Sequence, residues 1–578
     1  MFLPTTPEEM DKLGWKNLDV ILVSGDSYID SPYIGVAMIG KVLHDAGYRV
    51  GIIAQPDISS DSDIGRLGEP RLFWGVSGGS VDSMVANYTA TGKKRKSDDF
   101  TPGGVNNRRP DRATIVYSNL IRRYFKDTRP IVLGGIEASL RRVAHYDYWS
   151  NAIRRSILFD AKADYLLYGM AERAVIELAA RLKAGESPLH IRGLCYIARE
   201  KPVDCQELPS FIASAEDKEI FTSMFHQFYR SNDPVTGERL AQKQDTRYLV
   251  QNPPAPYLNG DEIDRLYALK FTRDLHPYYA QYGKVKALET IRFSITTHRG
   301  CYGECNFCAI SVHQGKMIRS RSRQSILNEA RELTAHPDFK GMIHDVGGPT
   351  ANMYGIDCSR KATRGSCIKK RCLYPDICKE LPLDHSVQTK LLADLRRLPG
   401  VKKVVVASGL RYDMILEDHT AGDKYMENLI CHHISGQLKI APEHTETVIL
   451  DLMGKPNNDH LEQFRKRFND LTQKHRLKQF LTYYLIAAHP GSREADMRKL
   501  RDFASQKLGI IPEQVQVFTP TPSTYSTLMY WTEKDPFTGK PVFVEKNLRQ
   551  KEAQKAVFQS RMTKKPEVRS KGKKYSHR

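Results

Sequence analysis

Residues 301–308 set Cys301, Cys305 and Cys308 in a C-x3-C-x2-C loop directly after the apolar run Ile291–Ile295. Three thiols so close in sequence cannot all be ordinary core residues, so the fold must present them together beyond a strand end. A tetrahedral Zn²⁺ takes four ligands, usually as two separated pairs. A [4Fe–4S] cubane has four irons and ordinarily takes four cysteines. A loop that offers three therefore leaves one iron open to another ligand.

The 578 residues are too many for one compact domain. Strand-like runs that end in glycine and lead into helical patterns recur through the first third: 19–23 into Gly25, Leu72–Ser77 into Gly78-Gly79, Ile131–Leu133 into Gly134-Gly135, and 165–168 into Gly169. That alternation predicts a doubly wound parallel α/β domain over 1–200. Residues 201–285 read as a connecting segment. A second α/β series over 286–535, with the cysteine loop after its first strand, predicts a partial (β/α) barrel whose chemistry gathers at the C-terminal strand ends. Residues 87–112 read as a basic surface loop.

Net charge is +20, and residues 545–578 hold twelve Lys or Arg against three Glu. A basic, disordered tail over 536–578 is expected, with Lys546, Arg549, Lys551, Lys555, Arg561, Lys564, Lys565, Arg569, Lys571, Lys573 and Lys574 suited to RNA or another polyanion. No run of eighteen apolar residues occurs and the N-terminus lacks signal-peptide character, so a cytoplasmic protein without membrane partners is expected. Seven of the ten cysteines fall between 301 and 378, which favours metal or redox chemistry over disulfides. Cys358, Cys367, Cys372 and Cys378, interleaved with Arg and Lys, read as a second metal site, an Fe–S cluster ahead of zinc. Cys195, Cys205 and Cys431 read as packing residues.

With Phe307 before Cys308, the triplet resembles the C-x3-C-x-aromatic-C loop of radical S-adenosylmethionine (SAM) enzymes. The resemblance implies a [4Fe–4S] cluster on Cys301, Cys305 and Cys308, SAM on the open iron, and reductive cleavage of SAM to a 5′-deoxyadenosyl radical. It also implies electrons from a flavodoxin- or ferredoxin-like donor. By the same resemblance Gly347 and Gly348 contact SAM, as do Ser408, Arg411 and Glu443. His489, at a later strand end, fits a hydrogen-bonded structural histidine better than a catalytic base.

A further string of residues (Pro102-Gly-Gly, Arg109 to Ala113, Glu137 with Arg141 and Arg142, His145 to Trp149, Tyr168 to Met170) resembles the YgiQ-type family of uncharacterised bacterial radical SAM proteins over about residues 15–545. Within it, Glu137, Arg141, Arg142, His145 and Asp147 fit either a substrate-facing wall or a salt-bridged helix face. The N-terminal domain looks cobalamin-binding-like at Val132–Gly135, yet the ligating D-x-H-x-x-G motif is absent and Asp26 is followed by no histidine. A G-x-G-x-x-G fingerprint is also missing, which argues against nicotinamide or flavin. Two alternatives stand beside a radical SAM enzyme of unassigned substrate: a methylthiotransferase-like modifier of RNA or protein, and a non-catalytic metal-dependent nucleic-acid-binding protein.

Overall fold

The computed structural model describes residues 1–558 except 369, 511, 513 and 514. Short runs of three to five residues, apolar in the first six cases and more polar in the last three, become the strands of a nine-stranded sheet. These are β1 Val20–Ser24, β2 Val50–Ala54, β3 Phe73–Ser77, β4 Ile131–Gly134, β5 Tyr165–Leu167, β6 Leu194–Ala198, β7 Gln206–Leu208, β8 Leu240–Gln244 and β9 Arg247–Gln251. Their order is β2-β1-β3-β4-β5-β6-β9-β8-β7. The first five are parallel, and β6, β9 and β8 continue antiparallel. Segment 201–285 thus contributes strands to this sheet.

Alternate side chains of each strand point to opposite faces. Ile21, Val23, Trp74, Val76 and Leu133 enter one core, and Val20, Leu22, Phe73 and Val132 another. Both faces are buried, which is why the strands read as continuous apolar runs. The parallel register brings Ser24, Ser77 and Gly134 level at one edge.

The second half adds β10 Ser294–Thr296, β11 Asp345–Gly347, β12 Lys403–Val404, β13 Gln437–Glu443, β14 Phe480–Ala487 and β15 Val515–Val517. β10 pairs parallel with β11, and β13–β14–β15 form a parallel sheet. Val346 N–H donates to Val405 O at 3.0 Å, and a parallel bridge joins Leu410 to Ile440, which closes the wall between these pieces. Helices such as Arg323–Thr334, Ser386–Arg396 and Asp459–Lys474 cover its outside over a core that includes Ile295, Leu391, Ile440 and Phe464. The run Ile291–Ile295 is only partly strand: Ala287–Ile291 is helix, and pairing starts at Ser294.

Two charged segments differ from expectation, and a third takes one of its expected forms. Arg109, in the basic 87–112 loop, is buried between Asp26 (2.8 Å) and Asp98 (2.9 Å). The Glu137–Asp147 string follows the salt-bridged alternative, in a buried setting. Glu137 accepts from Ser83 N and Thr114 N, and Arg141 pairs with Asp82. Arg142 donates to Gln251 and Asn232 while lying over Tyr168 and Phe228, and Asp147 pairs with Arg112. In the tail, helix Leu548–Ala556 is docked, and Lys551 is fully buried with its ammonium 3.1 Å from Tyr148 Oη and 2.9 Å from Tyr530 Oη. Lys551 is therefore not free for a polyanion. The tail residues from Arg561 to Lys574 lie outside the described residues, as does Lys369. No helix among the described residues is long and apolar enough to cross a membrane.

At the β1 edge, a Cβ on Gly25 would sit 2.1 Å from Gly78 O, a clash with backbone that no rotamer relieves. Gly25→Ala is expected to cost about 1–3 kcal/mol and to lower the thermal midpoint. A change below about 0.5 kcal/mol in chemical denaturation would contradict this close approach.

Candidate functional site: a three-thiol loop beside an interdomain cavity

After β10 the chain passes through His298 and Arg299, and Gly300 turns with φ 81°. The cysteine loop follows, and helix Ile310–His313 ends it. Gly303 sits inside the loop. Its N–H donates to Cys301 Sγ at 3.3 Å, and a Cβ there would lie 3.3 Å from Cys301 Sγ, 3.5 Å from Cys305 Sγ and 3.4 Å from Arg411 Nη1. Two sulfurs and a guanidinium thus lie close around this point. Asn306 pins the loop through its N–H to Met453 O (2.8 Å) and its amide to Leu452 O (2.9 Å). Phe307 packs against the small cluster of Ile449, Leu450 and Met453, with its ring edge-on to His489.

All three thiols are half-buried and free of disulfides. Burial raises Cys301 and pushes Cys308 up to about 12, so both are protonated without a metal. Among the described residues no three His, Cys, Asp or Glu side chains close on a single-ion site. Thiolate is the donor that iron–sulfur clusters use, so the chemistry of this donor set fits such a cluster.

The SAM-contacting candidates fall into two groups. Gly347 ends β11, and Gly348 follows so close to His298 that a Cβ would lie 2.6 Å from Nε2. Ser408 donates from its backbone to Asp345 Oδ1 at 3.2 Å, and its hydroxyl bonds the same carboxylate. Arg411 and Glu443 lie instead around the thiols. Arg411 is buried and donates from Nε to Asp413 at 2.8 Å, and its charge acts on Cys301 and Cys305. Glu443 stands at a β-bulge in left-handed backbone, φ 69°, a conformation that costs a non-glycine residue about a kilocalorie per mole or more. Burial raises its pKa to about 7 against the opposing pull of Lys455 and Arg411. His489 is buried and hydrogen-bonded on both nitrogens, to Pro490 O and to Ser526 Oγ (2.7 Å), as a structural histidine would be.

Gly347, Gly348 and Ser408 open onto a cavity of about 500 Å³ between the two parallel edges. Ser24, Ser77, Gly79, Gly134 and Gly135 face it from the N-terminal sheet, and Thr296, His298, His313 and Gln314 face it from the second half. Its walls are mainly apolar (Leu22, Met38, Phe73, Val132), a composition usual for organic ligands. Four buried or half-buried polar atoms of its lining residues have no hydrogen-bond partner within the protein: Asp26 Oδ1, which has only its ion pair with Arg109, Glu172 Oε2, whose Oε1 takes Arg299 at 2.5 Å, His298 Nε2 and His313 Nδ1. Burial holds His298 and His313 near pKa 4, so both rings are neutral. Sequence reading passed over Glu172, His298 and His313. The His-Arg-Gly run immediately before Cys301 was the available signal for His298.

A loop of three thiols at the strand ends of a partial barrel, behind a doubly wound domain, defines a radical SAM architecture. Residues 2–294 match the family model described as Radical SAM N-terminal, and residues 513–567 match a domain of unknown function (DUF3362). The chain is 56% identical to a UPF0313 protein of Fusobacterium nucleatum over 557 residues, covering 96% of this chain and 98% of that one. It is 51% identical to the Thermotoga maritima UPF0313 protein over 552 residues, covering 95% and 97%. The chain belongs to the UPF0313 family of radical SAM proteins and is a radical SAM enzyme. Among solved structures, the cobalamin-dependent S-adenosylmethionine radical enzyme OxsB, with aqua-cobalamin bound, superposes with a TM-score of 0.50 at 12% identity. That match covers 91% of this chain and 57% of OxsB, a likeness of fold.

The raised Glu443 carboxyl binds its proton more tightly folded than unfolded. Its ionisation therefore opposes folding increasingly as pH rises from about 4.5 to 7. In the metal-free protein, Glu443→Gln should gain stability over the parent across that interval, by roughly 3 kcal/mol at most above pH 7. Urea midpoints of the two proteins that stay parallel from pH 5 to 8 would rule this out.

Proposed function

We propose that Cys301, Cys305 and Cys308 ligate one [4Fe–4S] cluster whose fourth iron takes SAM, and that the interdomain cavity receives the substrate. The observation that carries this reading is the junction of the three-thiol loop with a cavity of about 500 Å³, through helix Ile310–His313 and the Gly347-Gly348 turn. When bound, such a cluster supplies one electron that cleaves SAM to methionine and a 5′-deoxyadenosyl radical. The chain's own residues bind, orient and exclude water. Gly347 and Gly348 let backbone approach the SAM amino acid moiety, Ser408 is held for SAM by Asp345, and Arg411 and Glu443 set the charge around the thiols. The apolar walls keep water from the radical, and Glu172 Oε2 and His313 Nδ1 supply unmet hydrogen bonds for polar groups of the substrate.

Cobalamin, which OxsB binds, is a weaker occupant for this cavity. No histidine lines it from the N-terminal sheet, so that domain offers no imidazole ligand to cobalt. The working division is 1–285, with the expected connecting segment 201–285 taken into the N-terminal sheet, then 286–535 and 536–578, in a cytoplasmic protein supplied by a flavodoxin- or ferredoxin-like donor. An RNA substrate or other polyanion at the tail is the less supported partner, because Lys551 is buried and Lys546 pairs with Glu533.

Anaerobically reconstituted protein with SAM and a strong reductant should form 5′-deoxyadenosine, and Cys305→Ala should abolish it. Zinc in place of iron in the anaerobic protein would falsify the reading. Cobalamin retained stoichiometrically through purification would reassign the cavity.

A further inference from the structure

Three of the four cysteines of 358–378 pack in or against the small core that holds Tyr302 of the three-thiol loop. Cys372 packs with Tyr302 and Leu373 in one small core, and Cys301, Cys358 and Cys378 lie against it. Tyr302, the neighbour of Cys301, accepts from the Cys358 N–H at 3.0 Å. The two loops are clamped through Glu304. Lys361 Nζ stands 3.2 Å from its carboxylate, and Arg371 donates to its backbone carbonyl at 3.1 Å. Burial alone would raise Glu304, yet Lys316, Lys361 and Arg371 hold it below the ordinary carboxylate value. A buried charge satisfied from three sides fixes the second loop against the first.

Two thiols of the second loop face a cavity, and the other two lie in or against the small core beside it. Cys367 and Cys378 wall a cavity of about 520 Å³. The Cys378 N–H donates to Cys372 O at 2.8 Å, and Cys358 and Cys372 lie within electrostatic range of one another. Arg360, Arg364, Lys370 and Lys379 line the same cavity, where they would offset the net negative charge of a four-thiolate cluster.

We propose that Cys358, Cys367, Cys372 and Cys378 hold a second [4Fe–4S] cluster, fully ligated, one residue's width from the SAM-cleaving loop. It is a one-electron carrier: a low-potential donor protein of the ferredoxin or flavodoxin class is oxidised by one electron, the cluster is reduced by one, and no bond forms or breaks. The site rests on the radical SAM reading only for its use, not for its existence.

The test is iron and sulfide per full-length chain after anaerobic reconstitution, with electron paramagnetic resonance of the reduced protein. The parent should hold about eight irons, and Cys367→Ser/Cys378→Ser about four, with one cluster signal lost. The triplet variant Cys301→Ala/Cys305→Ala/Cys308→Ala should also keep about four. Cys367 and Cys378 are half-buried at a cavity wall, so their replacement should leave circular dichroism unchanged. If that double variant unfolds, Cys367→Ser alone must lower the second signal for the proposal to stand. Iron unchanged in the double variant, all iron lost in the triplet variant, or one zinc per parent chain that leaves with Cys367 and Cys378 would each overturn the second cluster. Iron of about four in the parent that survives loss of the triplet would overturn the first reading and leave this one standing.

Discussion

Parallel pairing is the constraint on which the rest depends. Strands that run the same way end on the same edge, so each half of the chain delivers its turns, glycines and helix starts to one side. Here the two edges face each other, and Ser24, Ser77 and Gly134 oppose Thr296, Gly347 and Ser408 across one cavity. Neither half builds that cavity alone. The close approach of Gly25 to Gly78 and the buried Arg109 between Asp26 and Asp98 belong to this edge, where backbone must crowd to leave space beyond it.

Much of this was legible in the sequence because its signals are local. Apolar runs that end in glycine marked β1, β3, β4 and β5, and three cysteines in eight residues marked the loop. Some charged residues were misread, and others left open, for one common reason. A lysine or guanidinium reads as exposed unless its partner is visible, and the partners here are remote: Asp82 is 59 residues from Arg141, and Tyr148 is 403 from Lys551. Segment 201–285 hid its strands in a similar way, since β8 buries Gln242 and Gln244 whose amides bond other segments and spoil the apolar alternation.

The electrostatics of the site separate what the fold needs from what chemistry needs. Arg411 with Asp413 and Glu304 with its three cations are buried charges compensated within the chain, so they hold loops in place. Glu443, by contrast, is buried with a raised pKa despite Lys455 at 3.9 Å, in backbone a glycine would accept more readily, and Glu172, His298 and His313 keep unpaired atoms on the cavity wall. Folding alone selects against such features. They are the residues whose cost is recovered only when something is bound beside them.

The placement of the two thiol groups extends that argument. A structural metal site could sit anywhere the chain needs a staple, and the exposed end of an insertion would serve. This insertion is instead turned inward: Cys358 bonds Tyr302, Lys361 and Arg371 converge on Glu304, and all act on the eight residues that carry the triplet. Rigidity at that loop alone would be met by the Asn306 bonds and the packing of Phe307. Bringing four more thiols and a cation-lined cavity to the same loop adds little mechanical support but sets two redox-competent groups side by side. On the proposed reading, electrons would be supplied at one side of the triplet and substrate held at the other.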